Sequence, residues 1–273
     1  MKDNPYISVL MYHEVAPVLP SADRRYMTPG YVVTAEQFEA QVRDLRRRGF
    51  QTLLPHEVGE TEPGGKYVII TFDDGLEGNY TWALPILLQY GYRAMFFVVR
   101  DFIGMPRYVT WPQLEEVAAK GMSVQSHTVT HPALELLDDG QVWLELVASK
   151  RAIEERLSVA VDAISFPHGS YDDRVVRMAR EMGYRYMFSS DVQRMHKRDF
   201  AENRTVLGRF AVTNKTSLDD LRGWVDGDWV AVFSAQARKR VKTALRKIIG
   251  VRNYSRLYQV VLGIKAPPRE PKV

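Results

Sequence analysis

Residues 67–75 read Tyr-Val-Ile-Ile-Thr-Phe-Asp-Asp-Gly, so a largely apolar run is followed at once by two carboxylates and a glycine. Short runs rich in Val, Ile and Phe are typical of strands buried on both faces of a parallel sheet. In parallel α/β folds, functional groups gather at the carboxyl ends of the strands. The stretch therefore predicts a buried strand, Tyr67–Phe72, with polar chemistry at its end.

The same pattern recurs outward from this strand, with apolar runs alternating with amphipathic stretches of helical period. The predicted strands are Ile7–Tyr12, Tyr67–Phe72, Ala94–Val99, Met122–Gln125, Ala163–Phe166, Tyr186–Ser189 and Gly208–Val212. The predicted helices are Ala35–Arg48, Asn79–Tyr90, Trp111–Lys120, Gln141–Leu157 and Asp172–Met182. About seven units favour an incomplete (β/α) barrel. An open doubly wound sheet is the alternative, although no Gly-rich dinucleotide or phosphate loop follows any predicted strand.

The composition fits a soluble globular α/β protein. Hydrophobic residues make up 45% and charged residues 26% of the 273 residues, and a barrel of about 250 residues is still one domain. Cysteine is absent, which excludes disulfides, thiolate ligands and a cysteine nucleophile. The sequence shows no secretion signal and no apolar run of membrane-spanning length, so we expect a cytoplasmic protein.

Charge divides the sequence into two parts. From Gln236 onward there are eleven of the 37 Lys and Arg residues and only one of the 33 acidic residues. Residues 1–235 therefore carry a net charge of −6. We therefore predict a barrel domain over 1–235 and a basic amphipathic C-terminal extension over 236–273. A basic amphipathic helix suggests peripheral contact with an anionic membrane at its inner face. Packing against the acidic barrel is the alternative, and no nucleic acid is expected because no binding motif accompanies the charge.

Polar residues cluster directly after several predicted strands. His13 follows the first predicted strand, and the Asp73-Asp74-Gly75 turn follows the second. His127 and His131 follow the fourth strand, and His168 follows the fifth. Since these strand ends share one rim of a parallel barrel, we expect the side chains to meet there.

Two imidazoles and one carboxylate at this rim suggest a metal site with open positions, as hydrolytic metals require. The candidate ligands are Asp74, His127 and His131. The structural alternatives are that the Asp-Asp-Gly segment is an ordinary turn and that the two histidines share no ligand. Zinc is the default ion, and Co²⁺, Ni²⁺ or Mn²⁺ tolerate similar ligands. Asp73 is then the natural general base, and His13 the best candidate for the acid that protonates a leaving amine.

At this point the residues resemble a known family. Thr71–Gly75 followed by Ser126–His131 resembles the first two motifs of the polysaccharide deacetylase family (the NodB-homology, or carbohydrate esterase family 4, domain), and Phe166–Gly169 resembles the third motif. The resemblance covers about residues 6–213 and implies a distorted, incomplete (β/α) barrel. It also implies Asp73 as the base, with Asp74, His127 and His131 as metal ligands.

The sequence departs from the usual family pattern in two places. The arginine that orients the base is missing before Pro167, and the late Asp-Trp and Leu-x-x-His motifs have no match; His196 lacks the required apolar setting. Leu10–Val15, however, resembles the N-terminal motif of the circularly permuted poly-N-acetylglucosamine deacetylase branch, in which the catalytic acid comes first. This supports His13 as the acid, and Arg209 is the candidate replacement for the missing arginine.

The resulting hypothesis is a metal-dependent de-N-acetylase acting on an N-acetylated sugar, oligosaccharide or polysaccharide of exopolysaccharide biosynthesis. The backbone N–H of His168 would stabilise the oxyanion. Three aromatic residues near the rim, Tyr108, Trp111 and Tyr171, are candidates for stacking on sugars, with ordinary packing as the alternative. The rival functions are an amide or ureide hydrolase on the same barrel and a catalytically silent carbohydrate-binding protein of exopolysaccharide assembly.

Overall fold

The computed structural model describes residues 6–19, 29–201 and 206–249. The strands are β1 Tyr6–Tyr12, β2 Glu14–Ala16, β3 Val32–Thr34, β4 Gln51–Thr52, β5 Tyr67–Phe72, β6 Met95–Val98, β7 Ser123–Ser126, β8 Ala163–Ser165, β9 Tyr186–Phe188, β10 Met195–His196, β11 Val206–Leu207 and β12 Phe210–Ala211. The α-helices are α1 Ala35–Arg47, α2 Leu84–Gln89, α3 Trp111–Ala119, α4 Asp139–Leu157, α5 Asp173–Glu181, α6 Lys197–Ala201, α7 Leu218–Val225 and α8 Trp229–Ile249.

The main sheet is mostly parallel and nearly closes on itself. Its order is β10-β1-β5-β6-β7-β8-β9-β11, with β12 pairing with β1 and β4 with β5. The short segment 206–211 spans the closing seam, because β11 pairs with β9 while β12 pairs with β1, both in parallel. The predicted incomplete barrel of about seven parallel strands is therefore confirmed, and the open-sheet alternative is wrong.

Alternation along the strands separates two cores. Even-numbered residues of β5, such as Ile70 and Phe72, pack toward the surrounding helices, whereas Tyr67 and Ile69 belong to a second cluster inside the barrel. Because successive side chains of a strand point to opposite faces, the inward series continues through Thr71 to Asp73. This places one carboxylate in the barrel interior at the rim.

The last predicted strand, Gly208–Val212, forms differently from the prediction. Only Phe210–Ala211 of it forms a strand, β12, and the separate strand β11 precedes it, because the chain crosses there from the β9 edge to the β1 edge. Gly208 lies against the carbonyl oxygen of Asp191, where a Cβ atom would clash, and Arg209 N–H donates to that oxygen at 2.7 Å.

The predicted helix Asn79–Tyr90 also differs in form. It opens with a π-helical turn, Asn79–Ala83, and α2 then begins at Leu84. Pro85 has no N–H for a regular helical hydrogen bond, which agrees with its place in the first turn of α2.

The C-terminal region begins with α8, which runs across the predicted division at residue 235. The two-part division of the sequence stays a prediction, and its residues 250–273 lie outside the described residues. Within the described ranges, no helix combines the length and apolar character needed to cross a membrane.

Candidate active site at the barrel rim

Asp73 and Arg209 form a buried ion pair inside the rim. The guanidinium is bidentate, with Nη1 donating to Asp73 Oδ1 and Nη2 to Oδ2, each at 2.7 Å. Their exposed side-chain fractions are 1% for Arg209 and 4% for Asp73, so the pair is shielded from water. Fork-to-fork geometry of this kind fixes the orientation of a carboxylate as well as its charge.

The remaining donors of Arg209 are also satisfied. Its Nε donates to the Ser189 carbonyl oxygen at 3.0 Å, Nη1 to Thr71 Oγ1 at 3.1 Å and Nη2 to Ser165 Oγ at 2.8 Å. The guanidinium carbon lies 5.7 Å from the ring centre of Phe97 and 5.8 Å from that of Phe188. Hydrogen bonds to oxygen atoms and contacts with two aromatic rings thus fix the position of the guanidinium.

The pKa of Asp73 reflects this environment. Burial alone would raise the pKa of the carboxyl, but the Arg209 charge and hydrogen bonds, together with His127, hold it below its ordinary value. Asp73 is therefore an anion at neutral pH, with its orientation set.

Asp74 points away from its neighbour and meets two imidazoles. Its backbone is left-handed, with φ of 73°, and Gly75 follows with the same φ. Asp74 Oδ1 lies 3.4 Å from His127 Nε2 and 3.3 Å from His131 Nε2. All three atoms lie within 4.8 Å of one another, so among the described residues these three form a group that could hold a metal ion.

The donor set fits a divalent cation. Ligands at about 2.0–2.2 Å from a tetrahedral zinc ion lie about 3.3–3.6 Å apart, which matches the distances from Asp74. His127 Nδ1 lies 2.7 Å from the Ser165 carbonyl oxygen. Since a carbonyl only accepts, Nδ1 carries the proton, and Nε2 of the neutral ring turns a lone pair toward a carboxylate oxygen. Either a cation or a second proton must lie between them.

The pKa values of the cluster show the same requirement. Burial would raise the pKa of Asp74, but hydrogen bonds with His127 and His131 hold it well below its usual range. Burial would lower the pKa of His127, but the Asp73 and Asp74 charges raise it. The cluster therefore attracts positive charge.

The loop that carries His131 is strained and is anchored from α4. Thr128 and His131 have φ values of 70° and 64°, which non-glycine residues rarely adopt. Glu145 Oε2 accepts the N–H groups of Val129 at 2.7 Å and Thr130 at 2.9 Å, and its Oε1 accepts the Thr130 hydroxyl at 2.6 Å. This carboxylate offsets the strain and fixes the loop.

His13 and His168 flank the cluster. The His13 ring packs on Tyr31 at 4.5 Å between ring centres, and its buried Nδ1 has no hydrogen-bond partner among the described residues. Burial lowers the pKa of His13, and the Asp74 and Asp73 charges offset part of this effect. His168 has φ of 60°, and its ring centre lies 4.6 Å from that of His131.

The predicted rim aromatics and the other histidines lie as follows. Trp111 and Tyr171 are half-buried against the main core, and the Tyr108 ring packs on Phe102 at 4.9 Å between centres. His196 pairs with Tyr6 at the opposite end of β1, and His56 is exposed. Neither joins the cluster.

The sequence analysis overlooked three residues that organise the site: Ser165, Ser189 and Glu145. A signal existed for Ser165, because alternation from the buried Ala163 places it on the inward face beside Asp73. The Ser189 carbonyl and the Glu145 carboxylate act on distant backbone groups, and no local pattern indicates them.

Comparison with known proteins agrees with this geometry. The nearly closed, mostly parallel barrel belongs to a class of α/β barrels that includes a solved deacetylase, PplD of Streptococcus pyogenes in complex with acetate. That structure has a TM-score of 0.73 and 27% sequence identity, over 81% of this chain and 99% of that one. Residues 60–187 match the model of the family described as polysaccharide deacetylase. This match agrees with the family resemblance that the motifs predicted.

Two curated relatives illustrate the range of the family. The Bacillus subtilis (strain 168) protein YxkH is 33% identical over 183 residues, which span 65% of this chain and 62% of that protein. The poly-beta-1,6-N-acetyl-D-glucosamine N-deacetylase of Escherichia coli (strain K12) is 30% identical over 129 residues, which span 40% of this chain and 19% of that protein. The chain thus spans less than two thirds of the length of either relative.

Proposed function

We propose that the chain is a metal-dependent hydrolase that removes N-acetyl groups from an N-acetylated sugar, oligosaccharide or polysaccharide. The observation that carries the proposal is that two adjacent carboxylates have different partners. Asp73 is held by the guanidinium of Arg209. Asp74 lies beside the imidazoles of His127 and His131. The match of residues 60–187 to the polysaccharide deacetylase family and the name of the Escherichia coli relative support the acetamide substrate.

The metal would be held by Asp74, His127 and His131, with Zn²⁺ as the first choice and Co²⁺, Ni²⁺ or Mn²⁺ as substitutes. When bound, such an ion supplies Lewis-acid polarisation of the carbonyl and lowers the pKa of water to about 7. The Ser165 carbonyl holds the His127 ring in the tautomer that a ligand needs.

We assign the other roles to residues at the same rim. Asp73, held as an oriented anion by Arg209, accepts the proton of the attacking water. The backbone N–H of His168 donates to the oxygen on which negative charge develops. His13 gives a proton to the departing amine nitrogen; because burial lowers its pKa, it releases that proton more readily than an ordinary imidazole. Acetate and a free amino sugar result.

Acetate release is the direct test. The purified chain, loaded with Zn²⁺, is incubated with chitooligosaccharides and separately with β-1,6-linked N-acetylglucosamine oligomers. We expect acetate from at least one series, loss of this activity with a chelator, and recovery when Zn²⁺ is restored. A zinc-loaded chain that binds both oligomers without releasing acetate would contradict the proposal and favour a silent carbohydrate-binding protein.

A further inference from the structure

Helix α8 has an inner face that is fixed to the barrel. Val232 and Ala235 are buried, and the Gln236 side-chain amide donates to the Val192 carbonyl oxygen at 3.1 Å. Lys239 Nζ donates to Ser190 Oγ at 3.0 Å and to Asp191 Oδ1 at 2.7 Å. These contacts reach the loop that follows β9, which is the same loop whose carbonyls hold Arg209.

The opposite face of the same helix exposes a cluster of large apolar side chains. Trp229 is 72% exposed, Val230 51% and Phe233 60%. Residues four apart lie on one side of a helix, so Trp229 and Phe233 form a continuous aromatic stripe with Val230 beside it. Isolated exposed apolar residues are common, but a contiguous patch that includes two aromatics marks an interaction surface.

The charge that follows this stripe along the sequence indicates which partner covers it. The sequence 238–265 contains nine Lys or Arg residues and no acid, whereas residues 1–235 carry a net charge of −6. A second copy of the chain docked on this face would bring two basic segments together. An anionic lipid surface instead offers opposite charge to the basic residues and an interfacial layer in which Trp and Phe are favoured.

We propose that the outer face of α8, formed by Trp229, Val230 and Phe233, docks on an anionic lipid bilayer. Because the inner face is held to the loop after β9, docking would keep the barrel rim at a fixed distance from the lipid headgroups. This inference goes beyond the proposed function and does not depend on it.

Co-sedimentation with vesicles tests the docking surface on the full chain. One vesicle population is phosphatidylcholine alone, and the other is phosphatidylcholine mixed equally with phosphatidylglycerol. We expect the wild type to sediment with the anionic vesicles only. The double variant Trp229→Ala/Phe233→Ala should bind at least about tenfold more weakly, since membrane affinity scales with the apolar area buried.

A matched control lies on α4, where Trp143 is 46% and Leu144 57% exposed. The double variant Trp143→Ala/Leu144→Ala removes comparable exposed apolar area and should bind vesicles as the wild type does. Thermal melts of both variants check that the fold is kept. Equal binding by both double variants, or no preference of the wild type for anionic vesicles, would overturn the proposal. So would a wild-type dimer that dissociates in the α8 variant, because a second copy would then cover the stripe.

Discussion

Asp73 and Asp74 are adjacent in the chain but lie in two regions with opposite requirements. The Asp73 region sits on regular strands inside the barrel, and Arg209 completes its charge and hydrogen bonds. The Asp74 region includes left-handed loop residues, and in it a carboxylate oxygen of Asp74 faces the Nε2 atoms of His127 and His131. The first region is electrostatically complete with protein groups alone, whereas the second would be completed by a bound cation or by a second proton on the imidazoles. One strand end can therefore supply both a fixed base and a metal ligand.

The largest expected effect comes from removing each of the two carboxylates in turn, by the same substitution to asparagine. Asp74→Asn removes the only anionic ligand, so we expect metal affinity to fall by more than about 100-fold, since residues that merely orient ligands already contribute 10–100-fold. Turnover should fall with it. Asp73→Asn should keep the metal but lower turnover by about 10²–10⁴-fold, the contribution of a positioned base.

Metal content by mass spectrometry and acetate release under saturating Zn²⁺ measure the two effects separately. If Asp73→Asn lost the metal as completely as Asp74→Asn, the division of labour between the two regions would be wrong. Near wild-type turnover in Asp73→Asn would remove it as the base.

Arg209→Met tests whether the Asp73 region is complete because of its arginine. The substitution leaves a buried carboxylate without its cation, and we expect the free energy of unfolding to fall by about 3–5 kcal/mol. Turnover should fall as well, because Asp73 loses its orientation. Chemical denaturation and acetate release measure the two losses.

The double variant Arg209→Met/Asp73→Asn provides the control. With the charge of Asp73 removed, it should recover part of the stability lost in Arg209→Met. Unchanged turnover and stability in the single variant would show that Arg209 does not orient the base.

The two regions also differed in how far the sequence could predict them. The three proposed metal ligands lie in short motifs after strands, so they were identifiable locally, and the structure brings them together. Arg209 was identifiable only because the usual arginine was missing. Its pairing depends on the barrel seam, which brings residue 209 to residue 73 across 136 positions.

The remaining differences have similar causes. The shortening of the predicted strand Gly208–Val212 to β12, with β11 before it on the other edge, arises from closure of the whole sheet, which no local pattern contains. The roles of Ser189 and Glu145 depend on backbone groups brought close by the fold. The outer stripe of α8 required knowledge of which helical face packs on the barrel.

Glu14, which follows His13, extends the comparison to a buried carboxyl whose cation, Arg107, lies farther away than Arg209 lies from Asp73. Burial raises its pKa from 4.5 to about 7, and Arg107, at 3.9 Å, offsets only part of this effect. A raised folded-state pKa means that the folded protein binds the proton more tightly than the unfolded chain. The stabilising contribution of this proton is full below pH 4.5 and is lost as pH rises through about 7.

Glu14→Gln should therefore be more stable than the wild type above neutral pH, by at most about 3 kcal/mol. This advantage should shrink as the solution is acidified. Urea denaturation of both proteins at about pH 5 and about pH 8 measures it. An advantage independent of pH would contradict the raised pKa of Glu14.

The smallest expected effect concerns the contact between Glu145 on α4 and the loop that carries His131. Glu145→Ala removes the carboxylate that accepts the N–H groups of Val129 and Thr130, so the strained loop of His131 loses its anchor. We expect Zn²⁺ affinity to fall about 10–100-fold, as for other groups that orient ligands, while the Asp73–Arg209 pair is undisturbed. Glu155→Ala, the same substitution at an exposed position on the same helix, should leave affinity unchanged in calorimetric titrations. Equal affinities for the two variants would mean that the left-handed loop keeps its shape without α4, and that the metal region is as self-sufficient as its neighbour.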